Sequence, residues 1–154
     1  WPAPRMRIDP TTDVDFIVSC VTRPETWEAL TDDGAPELYF PPIGGGFLWV
    51  RVGDYGVFLL TKHNHVTSEV HTVLLPSARG KAVEIGKAAL AWAFEQTEIK
   101  RIITNVPSFN PHAQRMAIRV GFVKIGVNAK SFQKRGILYD QTILGVSKED
   151  ICQQ

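Results

Sequence analysis

The chain is poor in cysteine. Its 154 residues include two, Cys20 and Cys152, near opposite ends. One pair cannot build the disulfide framework of a small secreted domain, so reduced thiols are expected. No apolar run approaches ~18 residues, which argues against a spanning helix, and no signal-peptide pattern stands out. Charge of one sign is missing too: 17 basic against 16 acidic residues leave +1. That balance provides no electrostatic footprint for nucleic acid. The expected setting is cytoplasmic, with no nucleic-acid and no membrane partner. There is no internal repeat and no low-complexity tract.

What is present is ordinary globular composition, 44% hydrophobic and 21% charged, in a length that suits one compact domain with a real core. The domain is expected over 6–148, with 149–154 as a C-terminal tail. Residues 1–5, Trp-Pro-Ala-Pro-Arg, precede Met6 and are set aside as an added leader.

Apolar periodicity and turn residues place the elements. Residues 12–30 read as mostly helical, with Thr11, Thr12 or Asp13 as caps and Pro24 as a break. Residues 34–46, with Pro36, Pro41, Pro42 and three consecutive glycines, read as loop. Strands are predicted over 47–52, 55–62 and 66–75, with Gly53-Asp54 turning between the first two. Apolar residues from Ala82 to Phe94 recur at helical spacing, predicting a helix over 79–96. Gly86 inside it costs roughly 1 kcal/mol relative to Ala, and close helix–sheet packing would explain it. Residues 101–106 read as a strand buried on both faces. Asn110 caps a further helix with Pro111 at its first position. Strands over 122–127 and 139–146 close the order, joined by a polar loop carrying Lys130, Lys134, Arg135 and Gly136. The result is an α+β, or mixed α/β, fold with helices on both faces of the sheet.

The segment from Thr72 to Phe122 carries the most information. A strand, Thr72-Val-Leu-Leu, passes through a short loop into Arg79-Gly80-Lys81-Ala82 at a helix start. A helix N-terminus with a glycine beside it offers free amides and a positive dipole end, which suits a phosphate or pyrophosphate. The next strand leads into Asn110-Pro-His-Ala113 and a helix ending at Gly121-Phe122.

Both motifs, on these elements, resemble the GNAT (Gcn5-related N-acetyltransferase) superfamily over residues 6–148. Its acyl-CoA loop follows Gln/Arg-x-x-Gly-x-Gly/Ala, matched by Ser77-Ala-Arg-Gly80-Lys-Ala82 with serine in first place. Its later Asn-x-x-Ala is Asn110-Pro-His-Ala113. In texture the chain is closest to small members carried by bacteriophages. The resemblance implies a GNAT-like acyl-CoA N-acyltransferase fold with a central, mostly antiparallel sheet. It implies acetyl-CoA as co-substrate, an amine-bearing small molecule or protein as partner, and it admits a homodimer. The pyrophosphate would lie on the amides of Ala78, Arg79, Gly80, Lys81 and Ala82. Asn110 and Ala113 would contribute to the cofactor site. The thioester arm would run along Thr72, Val73 and Leu74, where an amide would stabilise the developing oxyanion.

Acetyl transfer to an amine also needs a base and a proton for the leaving thiolate. Glu69 and His71 lie two apart on a strand and share a face. Glu69 is the first choice of base and His71 the second, since a neutral imidazole is competent near pH 7. The alternative is that they only pair with each other or with Lys62. The family's thiolate acid is often a tyrosine on the second helix, a place filled here by Ala117. No tyrosine occurs between Tyr55 and Tyr139, so Tyr139 is the candidate, with water as its alternative. Glu37, Tyr39 and Phe40, the glycine loop 41–46, the early helices and the loop 128–138 would frame the acceptor.

Two other readings compete. A GNAT-fold module without catalysis, a phage or regulatory component, fits the missing helix tyrosine and the serine in the loop. His63-Asn-His65 followed by Glu69, with His71 behind, resembles the first metal motif of cupins. The absent second motif and the helix after it argue against a double-sheet jelly roll, and no metal ligand is assigned.

Overall fold

The computed structural model describes residues 6–152; residues 1–5, set aside above, and the last two residues of the expected tail lie outside them. The elements run β1 (Ile8–Pro10), α1 (Val14–Val21), α2 (Pro24–Leu30), β2 (Phe47–Val52), β3 (Gly56–Lys62), β4 (Thr67–Leu74), α3 (Ala82–Gln96), β5 (Arg101–Pro107), α4 (Pro111–Val120), β6 (Val123–Lys134), β7 (Ile137–Ser147) and α5 (Lys148–Cys152). The strands form one seven-stranded sheet in the order β1-β2-β3-β4-β5-β7-β6. Every neighbouring pair is antiparallel except β4 with β5. The mixed, mostly antiparallel sheet expected from the sequence is the one observed.

The sheet has a core on each face. On one, Phe58, Leu60, Ile102 and Leu144 meet Ile85, Leu90 and Phe94 of α3. On the other, Trp49, Val57, Leu59 and Val73 meet Ile17, Cys20 and Val21 of α1. Alternation along β2 and β3 sends successive side chains to opposite cores, so both strands read as nearly continuous apolar runs. Cys20 is a buried free thiol, and burial raises its pKa.

Local chemistry explains the helix starts. Asp13 caps α1 by accepting from the Phe16 amide at 3.1 Å. Pro24 breaks the early helical run by becoming the first residue of α2. Asn110 Oδ1 accepts from the Ala113 amide at 3.2 Å, with Pro111 first in α4.

Four expectations are corrected. The helix expected from Arg79 begins at Ala82, because Pro76–Ala78 form a 3-10 turn and Gly80 takes φ +81°. Gly86 accommodates a neighbouring helix rather than the sheet: a Cβ there would stand 2.6 Å from Val120 Cγ2 of α4. Strand β5 is fully buried only at Ile102 and Val106. The polar loop expected over 128–138 is a long β6–β7 hairpin, irregular between Asn128 and Phe132. Its two-residue turn, Arg135-Gly136, has φ +52° and +76°, the positive-φ geometry that matches strand twist. Residues 148–152 of the expected tail region form the short helix α5, and Ile151 packs on the α3-side core. Among the described residues no helix is long and apolar enough to cross a membrane.

Candidate active site

Strands β4 and β5 pair only through Thr67–Glu69 and Arg101–Ile103. Beyond that point they diverge. β4 stays paired with β3 as far as Leu74, and β5 with β7 as far as Pro107. The facing edges of 70–74 and 104–107 are therefore left without a ladder between them, which exposes backbone groups that must find other partners. One cross-link spans the start of the gap, from Thr104 Oγ1 to the Val70 carbonyl at 3.3 Å.

A cleft of about 600 Å³ passes through this opening. On one face α3 and α4 line it with Ala82, Gly86, Ala113 and Ala117, and on the other α2 lines it with Thr26 and Leu30, joined by Arg23 just before its first residue. The absence of a side chain at Gly86 lets α3 and α4 close against each other here. Of the site residues expected from the sequence, Glu69, His71, Thr72, Val73, Leu74, Ala82, Asn110 and Ala113 all line this cleft.

Arg79, Gly80 and Lys81 form the exposed turn at the start of α3. The amides of Ala78, Arg79 and Lys81 donate within the turn, to Leu75, Pro76 and Ala78 carbonyls at 2.9, 3.1 and 2.9 Å. Ala78 itself is buried in the core. The expected convergence of amides 78–82 therefore reduces to Gly80, Ala82 and the following first-turn amides of α3, which have no intrahelical acceptor. At Gly80 the positive φ favours glycine, and a Cβ would meet nothing within 4 Å, so the turn is open to a ligand. Ser77, in first place of the loop motif, donates through Oγ to the Asp54 carbonyl at 2.7 Å and ties the loop to the β2–β3 turn.

The face of β4 that carries Val73 into the α1-side core also carries Glu69 and His71. Glu69 is bracketed: Oε1 lies 3.1 Å from His63 Nε2, and Oε2 lies 3.3 Å from His71 Nε2. The Glu69 side chain is 18% exposed and that of His71 45%. Lys62 is not the partner that the sequence offered. The His63 contact has hydrogen-bond geometry, whereas the His71 contact is a close approach without it. His65 diverges to Glu98, at 3.4 Å, so the His-x-His pair splits between two carboxylates. The open sheet with helices on both faces also overturns the cupin reading.

Tyr139 does not reach the cleft. It is half-buried against Phe109, with ring centres 4.9 Å apart, and Phe109 in turn packs on Phe132. Aromatic edge-to-face packing claims the ring. Tyr39 is likewise held edge-on against Trp27 at 5.5 Å, and burial raises its pKa. Phe40 is 79% exposed, and neither it, Glu37 nor the 41–46 loop lines the cleft. Gly46 instead borders a smaller hollow with Lys62 and His65.

The sequence reading missed His112, Thr104, Asn105 and Gln141, all of which line the cleft. His112 lay inside the Asn-Pro-His-Ala motif; the others carry no local signal. It also missed how the acceptor side is held. Lys134 Nζ donates to the carbonyls of Glu28 and of Thr31, the latter at 2.7 Å. Arg135 pairs with the Glu28 carboxylate. Asp33 accepts from the amides of Arg135 and Gly136 at 2.7 and 3.0 Å, and those bonds hold its carboxyl below the usual range. The hairpin tip is thereby clamped to α2 and the turn after it.

The same fold occurs in solved structures of spermidine N-acetyltransferase SpeG from Vibrio cholerae. A chimera of that enzyme with hSSAT matches at 22% identity, 70% of each chain and TM-score 0.64. A second chimera matches at 22% identity, 71% of this chain and 74% of that one, with TM-score 0.65. The complex of the Vibrio enzyme with CoA and spermine matches at 22% identity, 69% and 67% coverage and TM-score 0.60. The GNAT-like fold expected from the two motifs is therefore the fold adopted. Residues 47–154, from β2 onward, match the family described as "Protein of unknown function (DUF2824)", and the chain belongs to that family.

Proposed function

We propose that the chain is an acetyl-CoA-dependent N-acetyltransferase that moves an acetyl group directly to a primary amine. The observation that carries this reading is the β4–β5 splay. It opens a cleft running from the free amides of α3 to the Glu69–His71 pair on the opposite face. The residues present suit the co-substrate. Gly80, Ala82 and the first-turn amides of α3 would hold the diphosphate, with Arg79 and Lys81 adding charge. The unladdered edge of Thr72, Val73 and Leu74 would take the amide-bearing arm, and Asn110 and Ala113 line the space beside it. The neighbour crystallised with CoA and spermine supports a CoA thioester and an amine as the reacting pair.

His71 is the base, reversing the order suggested by residue type. Glu69 Oε1 bonds His63 Nε2 and Oε2 lies 3.3 Å from His71 Nε2; Glu69 positions His71, and His63 steadies Glu69 from the other side. As the amine nitrogen attacks the acetyl carbonyl, a C–N bond forms and the C–S bond breaks. The amine proton passes to the His71 imidazole. His112, at the α4 end of the cleft, or water returns a proton to the thiolate. We place the reaction in the cytoplasm, in keeping with the reduced, buried Cys20.

Thermal unfolding with acetyl-CoA tests binding: at 100-fold over its dissociation constant it should add about 2.7 kcal/mol. Thiol release with a panel of amines then tests turnover. A non-catalytic module is favoured by one observation, the packing of Tyr139 away from the cleft. Cofactor stabilisation without thiol release from any amine would support that second reading.

A further inference from the structure

We propose, resting on the transferase reading above, that the preferred acceptor is a small primary monoamine with an apolar substituent beside its amino group, not a polyamine. Among the described residues, the acceptor half of the cleft is lined by two carboxylates, Glu25 and Glu69. Glu25 is already ion-paired, and Glu69, flanked by two imidazoles, is the one carboxylate left for the reacting amine. Glu25 Oε2 lies 3.2 Å from Arg23 NH2, and the Glu69 oxygens lie 3.1 and 3.3 Å from the two imidazoles.

The nearby acidic groups of the clamp already have partners. Glu28 is paired by Arg135, with Lys134 Nζ 3.7 Å away. Asp33 holds two backbone amides of the hairpin tip. A polyamine brings further cationic nitrogens, and each one leaving water needs a carboxylate of its own.

The remaining wall is apolar. Ala29 and Leu30 of α2 and Phe132 of β6 line it, and Leu30 is 39% exposed. An apolar substituent would cover that surface and displace water from it, at no electrostatic cost. The chemistry is the transfer already described, with one amine proton going to His71 and the thiolate reprotonated.

Thiol release by the full chain with acetyl-CoA decides the matter, using hexylamine and benzylamine against spermidine and spermine. The expected result is a kcat/KM for the apolar amines at least ~10-fold above that for spermidine, the scale of discrimination set by a pocket methylene or two. Leu30→Asp, which adds an unpaired carboxylate at an exposed site, should narrow or reverse that ratio, and Ala29→Glu is an independent second variant. Spermidine turned over as well as or better than the apolar amines overturns the inference and leaves the transferase reading standing. Absence of turnover with every amine, or no thermal shift with acetyl-CoA, overturns the transferase reading and the inference with it.

Discussion

The two faces of the cleft are built by different means. On the α3–α4 face, the groups that suit a thioester co-substrate come from strand–turn–helix units in which neighbours in sequence are neighbours in space. The 3-10 turn after β4 delivers Gly80 to the start of α3, and Asn110 caps its own helix. On the α2 face, nothing local suffices. The wall is held by contacts between residues more than a hundred positions apart, such as Lys134 with Thr31 and Arg135 with Asp33. The matched family region, 47–154, contains the first face and the hairpin but not α2. A cofactor that is the same for every reaction can be held by a local motif. An acceptor that varies is better served by a wall assembled from separate pieces, where one piece can change without disturbing the other.

That contrast can be broken at several points. The largest effect belongs to the meeting of the two faces: His71→Ala should lower kcat/KM by about 10²–10⁴-fold while leaving the acetyl-CoA thermal shift in place. A loss of binding instead would move His71 to the cofactor face. Next, Gly86→Val should destabilise the fold by about 1–3 kcal/mol, because Val120 stands where the new side chain must go. Chemical denaturation measures this, and acetyl-CoA affinity should fall with it as α3 and α4 are pushed apart.

A smaller effect is expected from Glu28→Ala. The pair with Arg135 is exposed, so stability should change by about 0–1 kcal/mol. The readout that separates the faces is KM: the amine's should rise while that of acetyl-CoA holds. An equal rise in both would show the clamp to be structural for the whole cleft.

The smallest is a pH effect at Asp33, whose folded pKa is lowered chiefly by the Gly136 and Arg135 amides. A carboxyl depressed on folding contributes stability above its unfolded pKa, near 3.9. That contribution is lost as pH falls through the lower folded value. Acid unfolding of Asp33→Asn should lack this component, and the difference between the two proteins should vanish in strong acid.

Legibility followed the same division. The apolar period of α3 and the Pro24 and Asn110–Pro111 boundaries were readable because each depends on residues within a turn or two of one another. α3 starts later than the apolar spacing suggests because Ala78, Arg79 and Lys81 spend their amides in a tighter turn that leaves no hydrophobic signature. Only the outer part of the β6–β7 hairpin, 128–138, reads as loop, because its paired strands lie at the sheet's edge with little to bury. Exposed residues such as Asn128, Ala129 and Lys130 carry no alternation, and Arg-Gly is a weaker turn signal than Asn-Gly. Gly86 was recognised as a packing glycine but its neighbour was misjudged, since no local pattern names the helix on the far side. Residue chemistry put Glu69 ahead of His71; the order reversed only when His63 was found on the second carboxylate oxygen.

The sequence by itself determined most of the order of elements and the positions of the glycine turn and the Asn110 cap, because periodicity and capping are short-range physics; the antiparallel sheet followed from the family resemblance. Tertiary structure alone decided where β4 and β5 part, which carboxylates arrive already paired, and that Tyr139 stacks in an aromatic cluster instead of facing the cleft. Those outcomes depend on which distant groups compete for the same hydrogen bond or the same apolar surface, and that competition is resolved only when the chain is folded.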